Sequence, residues 1–226
     1  MIPKILHYCW FGPHSKSPIN KKCMATWPIY LKNYAAYEWT ESTFNINNHP
    51  YTKAAYESGY FAFVSDYVRL WALYKYGGIY LDTDMMLYKP LDKFLRHRAF
   101  GGHEIDVEVG YLGRKELLFM TALIGAEPGH PWIKMLLDWY DNAERTGYPR
   151  YFDINNLKPN TQIVTKLSLP LVERAENGTR YLRDGVVIYP NETFCPYEFR
   201  GRGALPTENS YACHMFSNSW QGGIKV

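Results

Sequence analysis

Residues 61–84 read FAFVSDYVRLWALYKYGGIYLDTD, and their pattern decides the fold. The first sixteen are apolar or small on almost every side, with Asp66 and Arg69 the only charges before Lys75. That spacing predicts a helix buried on most faces. Gly77-Gly78 stops it, as a C-terminal cap in the left-handed region requires. Ile79-Tyr80-Leu81 follows as a short buried strand, and Asp82-Thr83-Asp84 stands at its carboxyl end. Helix, glycine turn and apolar strand in succession argue for an α/β layered sheet, and such sheets bind ligands at the carboxyl ends of their strands.

The flanking sequence alternates in the same way. Residues 5–10 read as a buried strand, broken by Phe11-Gly12-Pro13, which delivers Trp10 to a loop. Ser17-Pro18 opens a helical stretch reaching about residue 34, and residues 37–40 form a second strand. A short helix over 52–58 ends at Gly59. Residues 131–146 form an amphipathic helix, and residues 161–177 read as helical despite Pro170. Residues 186–189 and 211–216 read as strands. With no repeat, low-complexity tract or long linker, residues 1–226 are expected to form one domain.

Composition narrows the function classes. The 226 residues carry a net charge of +3, with 46% hydrophobic and 21% charged residues. This describes neither a disordered tail nor a charge-dominated nucleic-acid binder. The longest uncharged run near the middle, residues 117–126, falls short of the roughly 20 residues a membrane helix needs. The N-terminus, with one lysine, His7 within its apolar stretch and no small-residue cleavage site, does not read as a signal peptide. Four cysteines without a C-x-x-C pair suggest reduced thiols and a cytoplasmic location; the charge is compatible with peripheral contact at the inner face of a membrane. The unusual feature is aromatic content, 17% of the chain, with 20 tyrosines. Such rings suit sugars and bases, or they fill the boundary of an α/β core.

Three groups of residues carry chemistry. On an extended strand, residues two apart point the same way, about 6.5 Å apart, so Asp82 and Asp84 face one small volume. Two carboxylates there repel unless a cation offsets them, and a hard divalent ion with oxygen ligands does so while gathering phosphate oxygens. The alternative is a turn in which both aspartates cap backbone amides. Asp66 and Arg69, at i and i+3, form a second group that grips sugar hydroxyls or else an internal salt bridge orienting the helix. The third is the tail HMFSNSW, residues 214–220, where His214 offers a neutral imidazole to a metal and Trp220 an N–H to a phosphate. A lone histidine is more often structural. Glu104, Asp106 and Glu108 alternate as a solvated face would.

Together, IPKILHYCWFG (2–12), SDYVR (65–69), GGIYLDTD (77–84) and the closing HMFSNSW resemble the glycosyltransferases with a DXD sugar-binding region, of the family 32 kind. These include bacterial capsule and lipopolysaccharide transferases, fungal mannosyltransferases and, more distantly, the glucosyltransferase domain of large clostridial toxins. The resemblance implies a GT-A-like single domain with a mixed central sheet flanked by helices. It also implies a nucleotide-sugar donor, Mn2+ or Mg2+, and transfer with retention. Carried over by position, Trp10 stacks on the donor base, Asp66 and Arg69 hold the sugar, and Asp82 reaches ribose, sugar and metal. Asp84 and His214 ligate the metal, Ser219 contacts the donor, and Trp220 donates to the leaving phosphate. Two departures touch the acceptor side: Thr121 stands where several relatives have asparagine, and the helix after Asn160 lacks a Gly-Pro. Ser217, Asn218 and Ser219 are not separable by alignment.

The expected reaction moves a hexose, UDP-linked for preference because a tryptophan after the first strand suits uracil, to a hydroxyl of a glycan or lipid-linked acceptor. Two rivals share parts of the pattern. A haloacid-dehalogenase-like phosphatase also ends an apolar strand in Asp-x-Asp, but Met86 stands where it needs Thr or Val. A metal-dependent carbohydrate-binding module would bind glycan without turnover.

Overall fold

The fold was obtained as a computed structural model describing residues 1–106, 116–141, 159–196 and 206–217. In chain order the elements are β1 (Ile5–Cys9), α1 (Pro18–Met24), α2 (Trp27–Tyr30), β2 (Ala35–Trp39), α3 (Pro50–Glu57) and α4 (Phe61–Tyr76). There follow β3 (Gly78–Leu81), β4 (Met85–Leu87), β5 (Ala99–Asp106), β6 (Glu116–Phe119), β7 (Leu123–Ala126) and α5 (Pro131–Asp141). The rest is α6 (Asn160–Ser168), β8 (Val172–Glu176), β9 (Thr179–Leu182), β10 (Val186–Tyr189), α7 (Asn191–Phe194) and β11 (Ala212–His214).

The main sheet runs β2-β1-β3-β7-β5-β10-β9-β8, with β6 paired to β5. It is mixed: β1 lies parallel to β2 and β3, whereas β7 runs antiparallel between β3 and β5. Side-chain alternation along β3 divides the core. Ile79 and Leu81 join the cluster under α1 and α2 with Leu6, Trp27 and Phe100, while Tyr80 joins the cluster of α4 and α5 with Val68, Leu73 and Ile133. Parity then sends Asp82 to the α4 side with Tyr80. A second, two-stranded sheet pairs β11 with β4, Met85 opposite His214.

Two predicted helices are cut short. The stretch over 17–34 breaks into α1 and α2. Pro28 has no N–H to offer the Met24 carbonyl, so one helix cannot pass through. The stretch over 161–177 is helical only to Ser168. Pro170 sits in a single 3-10 turn, and residues 172–176 form β8. Asn177-Gly178, at φ 49° and 77°, is the two-residue turn that joins β8 to β9 as a hairpin. The predicted 131–146 helix is described as far as Asp141.

Among the described residues many rings pack against other rings. Trp39, Trp71 and Tyr76 form one cluster and Phe94, Phe100, Phe194 and Tyr189 another. The aromatic excess is therefore in large part core filling. All four cysteines are buried and none is in a disulfide. No helix among the described residues is long and apolar enough to cross a membrane.

Candidate active site

Asp82 and Asp84 do not lie on an extended strand as the sequence suggested. The segment turns, with the Met85 N–H donating to the Asp82 carbonyl at 2.9 Å. The turn leads directly into β4, whose partner is β11. Convergence survives the change of geometry. Asp82, Asp84 and His214 each offer one ligand atom, all within 4.8 Å of one another. Two carboxylates are oxygen donors of the kind that suit Mn2+ or Mg2+, and the imidazole adds one nitrogen donor.

Asp84 is the better buried aspartate. Its Oδ2 accepts the Ser217 N–H at 2.8 Å, and its Oδ1 stands 3.4 Å from His214 Nε2. Burial alone would raise its pKa, but His214 and the Ser217 N–H outweigh burial and hold the carboxyl well below the usual range. Burial likewise works against charge on His214, yet Asp84 and then Glu104 raise it to about 10. Part of the turn-capping alternative is thus present as well, since Asp84 does cap a backbone amide. Between the aspartates, Thr83 Oγ1 accepts from Asn20 Nδ2 at 2.9 Å, tying α1 to the turn. Asn20 is fully buried and is held in turn by Ser17, the cap of α1.

The second group joins the first through Arg69. Its Nη2 lies 2.9 Å from Asp66 Oδ1 and 3.3 Å from Asp82 Oδ1. Nη1 donates to the Thr121 carbonyl at 2.8 Å and Nε to the Ser65 carbonyl at 3.3 Å. Beneath the guanidinium lies the Tyr80 ring, 4.7 Å away, whose hydroxyl donates to Asp82 Oδ1 at 2.8 Å. Burial opposes the Arg69 charge, but Asp82, Tyr80 and Asp66 outweigh it and keep the group protonated. Burial pushes Asp66 up to about 6, against the opposing pull of Arg69 and the Asn160 side chain. The internal salt bridge that the sequence offered is thus present, and of its three members Asp82 is the most exposed.

Other sequence-derived residues fall into place differently. Trp10 follows β1 at the sheet edge where β3 ends, and its indole N–H donates to the His14 carbonyl at 2.7 Å. Lys16 lies over the ring at 5.2 Å, so Trp10 presents at most one free face to a base. Ser219 and Trp220 lie outside the described residues, as do Asn218 and Glu108. Glu104 is not on a solvated face: its side chain is 12% exposed and turns toward His214. A groove of about 700 Å3 lined by Tyr67, Trp71, Tyr74 and Lys134 shares none of the Asp66, Arg69, Asp82, Asp84 or His214 side chains.

Four participants were missed from the sequence: Tyr80, Asn20, Glu104 and the Thr121 carbonyl. Tyr80 could have been found by strand parity with Asp82. The others come from distant segments and carry no local signal.

Residues 18–101 match the family model of the glycosyltransferase sugar-binding region containing DXD motif. That match covers 84 of the 226 residues. The DXD region spans Asp66, Arg69, Asp82 and Asp84 but neither Trp10 nor His214. Over 106 residues the chain is 35% identical to inositol phosphoceramide mannosyltransferase 3 of Schizosaccharomyces pombe, an alignment covering 44% of this chain. It spans only 29% of that relative's length. Two solved structures are similar beyond the DXD region. One is the PaToxG glycosyltransferase, with TM-score 0.53 and 19% identity over 74% of this chain and 68% of that one. The other is a glycosyltransferase involved in the glycosylation of the major capsid of PBCV-1, with TM-score 0.52 and 12% identity over 98% and 97%. At these identities the likeness is one of fold, and the fold around the DXD region is GT-A-like.

Proposed function

We propose that the protein is a metal-dependent, retaining glycosyltransferase that moves a hexose from a nucleotide-sugar donor, UDP-hexose first, to a hydroxyl of a glycan or lipid-linked acceptor. The observation that carries the reading is the junction at Asp82, which belongs both to the Asp66–Arg69–Asp82 array and to the Asp82–Asp84–His214 cluster. One array suits hydroxyls and the other a cation, and they meet at one carboxylate. A mannosyltransferase named for inositol phosphoceramide favours a hexose and a lipid-linked acceptor, with GDP-mannose as the second donor to test.

In this reading Asp66 and Asp82 accept from sugar hydroxyls, and Arg69 donates. Tyr80 and the Thr121 carbonyl fix Arg69 before the donor arrives, so little ordering remains at the moment of reaction. A divalent ion held by Asp82, Asp84 and His214 would offset the charge of the departing diphosphate. Asp66 and Asp82 are each engaged by Arg69, which favours attack by the acceptor on the same face over a covalent aspartyl intermediate. The same engagement speaks against Asp82 as a phosphatase nucleophile. Trp10 at the base and Ser219 and Trp220 at the diphosphate complete the proposed donor site. The same reading has the protein working in the cytoplasm, within reach of the inner face of a membrane, in capsule or lipopolysaccharide assembly.

The test is a panel of UDP-, GDP- and CMP-sugars with and without Mn2+, read by melting temperature and donor hydrolysis. One nucleotide class should stabilise the protein only with metal, and Asp84→Ala should abolish Mn2+-dependent hydrolysis. Unchanged turnover in that variant would overturn the assignment.

A further inference from the structure

Beside the proposed metal cluster lies a second group of donors. Glu104, Cys195 and His214 each bring a ligand-type atom within 4.8 Å of the others. His214 belongs to both groups and uses a different ring nitrogen for each. Nε2 faces Asp84 Oδ1 at 3.4 Å, and Nδ1 faces Glu104 Oε2 at 3.6 Å. Nδ1 and Oε2 are both buried, and neither has another hydrogen-bond partner among the described residues. A buried carboxylate oxygen left without a donor is costly, so Glu104 needs one. Cys195 offers no charge to compete: burial, then the nearby Glu104, keep its thiol protonated. The His214 Nδ1–H is the donor the geometry provides, and closing 3.6 Å to a hydrogen bond takes only about half an ångström.

We propose that Glu104 is a positioning residue for His214, accepting the Nδ1–H and so, once a bound cation has displaced the proton on Nε2, fixing the tautomer whose Nε2 lone pair is turned to the Asp82–Asp84 space. A carboxylate behind a ligating histidine orients the ring and raises its basicity, and loss of such a partner typically weakens metal binding about 10–100-fold. Both residues stand on paired strands: Glu104 on β5, opposite Leu118 of β6, and His214 on β11, opposite Met85 of β4. The inference rests on the metal reading above, and its test separates the two.

The experiment titrates MnCl2 alone, without donor, into wild-type protein and Glu104→Gln, reading free Mn2+ by electron paramagnetic resonance. Glutamine keeps the shape but can donate to Nδ1, favouring the opposite tautomer. Mn2+ affinity should fall about 10–100-fold in E104Q while the metal-free melting temperature stays near that of wild type. Equal Mn2+ affinity in the two proteins would overturn the inference alone. Absence of Mn2+ binding by wild type would overturn the metal reading itself. Should E104Q fail to fold, the wild-type protein still decides. With Mg2+ bound, long-range 1H–15N correlation of the His214 ring should show the proton on Nδ1, and a proton on Nε2 would overturn the assignment.

Discussion

Arg69 is the residue on which two carboxylates depend. It is 5% exposed, and its partners come from its own helix, from the end of β3 and from the Thr121 carbonyl ahead of β7. Desolvation offsets much of what such an array gains, but removing the cation leaves Asp66 and Asp82 facing each other uncompensated. Arg69→Met is therefore expected to cost about 3–5 kcal/mol in urea denaturation, and a loss under about 1 kcal/mol, the range of an exposed pair, would show the array to be peripheral. Arg69→Lys should fall between, since an ammonium keeps the charge but cannot make the same forked set of contacts. The i, i+3 relation of Asp66 and Arg69 was legible in the sequence. The third member was not, because Asp82 reaches Arg69 only through the packing of α4 on the sheet.

The Gly77-Gly78 link between α4 and β3 places that helix over that strand. Gly78 has φ 111°, and a Cβ there would lie 2.5 Å from the Ile5 carbonyl oxygen of the neighbouring strand. Gly59 also has positive φ, 77°, but nothing lies within 4 Å of its Cβ position. Gly59→Ala should thus cost backbone strain alone, about 1–2 kcal/mol, whereas Gly78→Ala adds a backbone collision and should exceed it clearly. Equal effects in equilibrium denaturation would mean that β1 and β3 are not held as closely as described. The glycine pair was readable as a stop signal, and α4 runs over the residues the sequence assigned to it. The two helices read too long, over 17–34 and 161–177, failed at prolines whose missing N–H overrode the helix-forming residues around them. Residues 172–176, VERAE, form a strand because Asn177-Gly178 folds them onto β9. Pairing supplies what their composition does not.

At the scale of the whole molecule the buried histidines set an acid limit. His103 is fully buried, and burial, followed by the positive charge of Arg180, lowers its pKa from 6.5 to about 4. The unfolded chain therefore takes up a proton between pH 6.5 and pH 4 that the folded chain refuses, so stability is full above 6.5 and lost as pH falls through that window. The span corresponds to about 3 kcal/mol. Denaturation at pH 7 and pH 4 should show a smaller difference for His103→Gln than for wild type by roughly that amount; identical differences would mean that His103 titrates normally. The α/β layering and the site's place at a strand end were readable from residues 61–84. The antiparallel insertion of β7 between β3 and β5, and the burial of Glu104, are products of long-range pairing that no local pattern announces. The same long range governs the closing strand. Asp84 finds His214 and Ser217 some 130 residues further on. A nascent chain that has emerged as far as β9 already carries both aspartates of the turn, but not the imidazole or the amide that steady them. The Asp84–His214 contact must then wait for translation to reach β11, and chains released short of Ala212 would fold a sheet whose Asp84 lacks both the imidazole and the Ser217 amide.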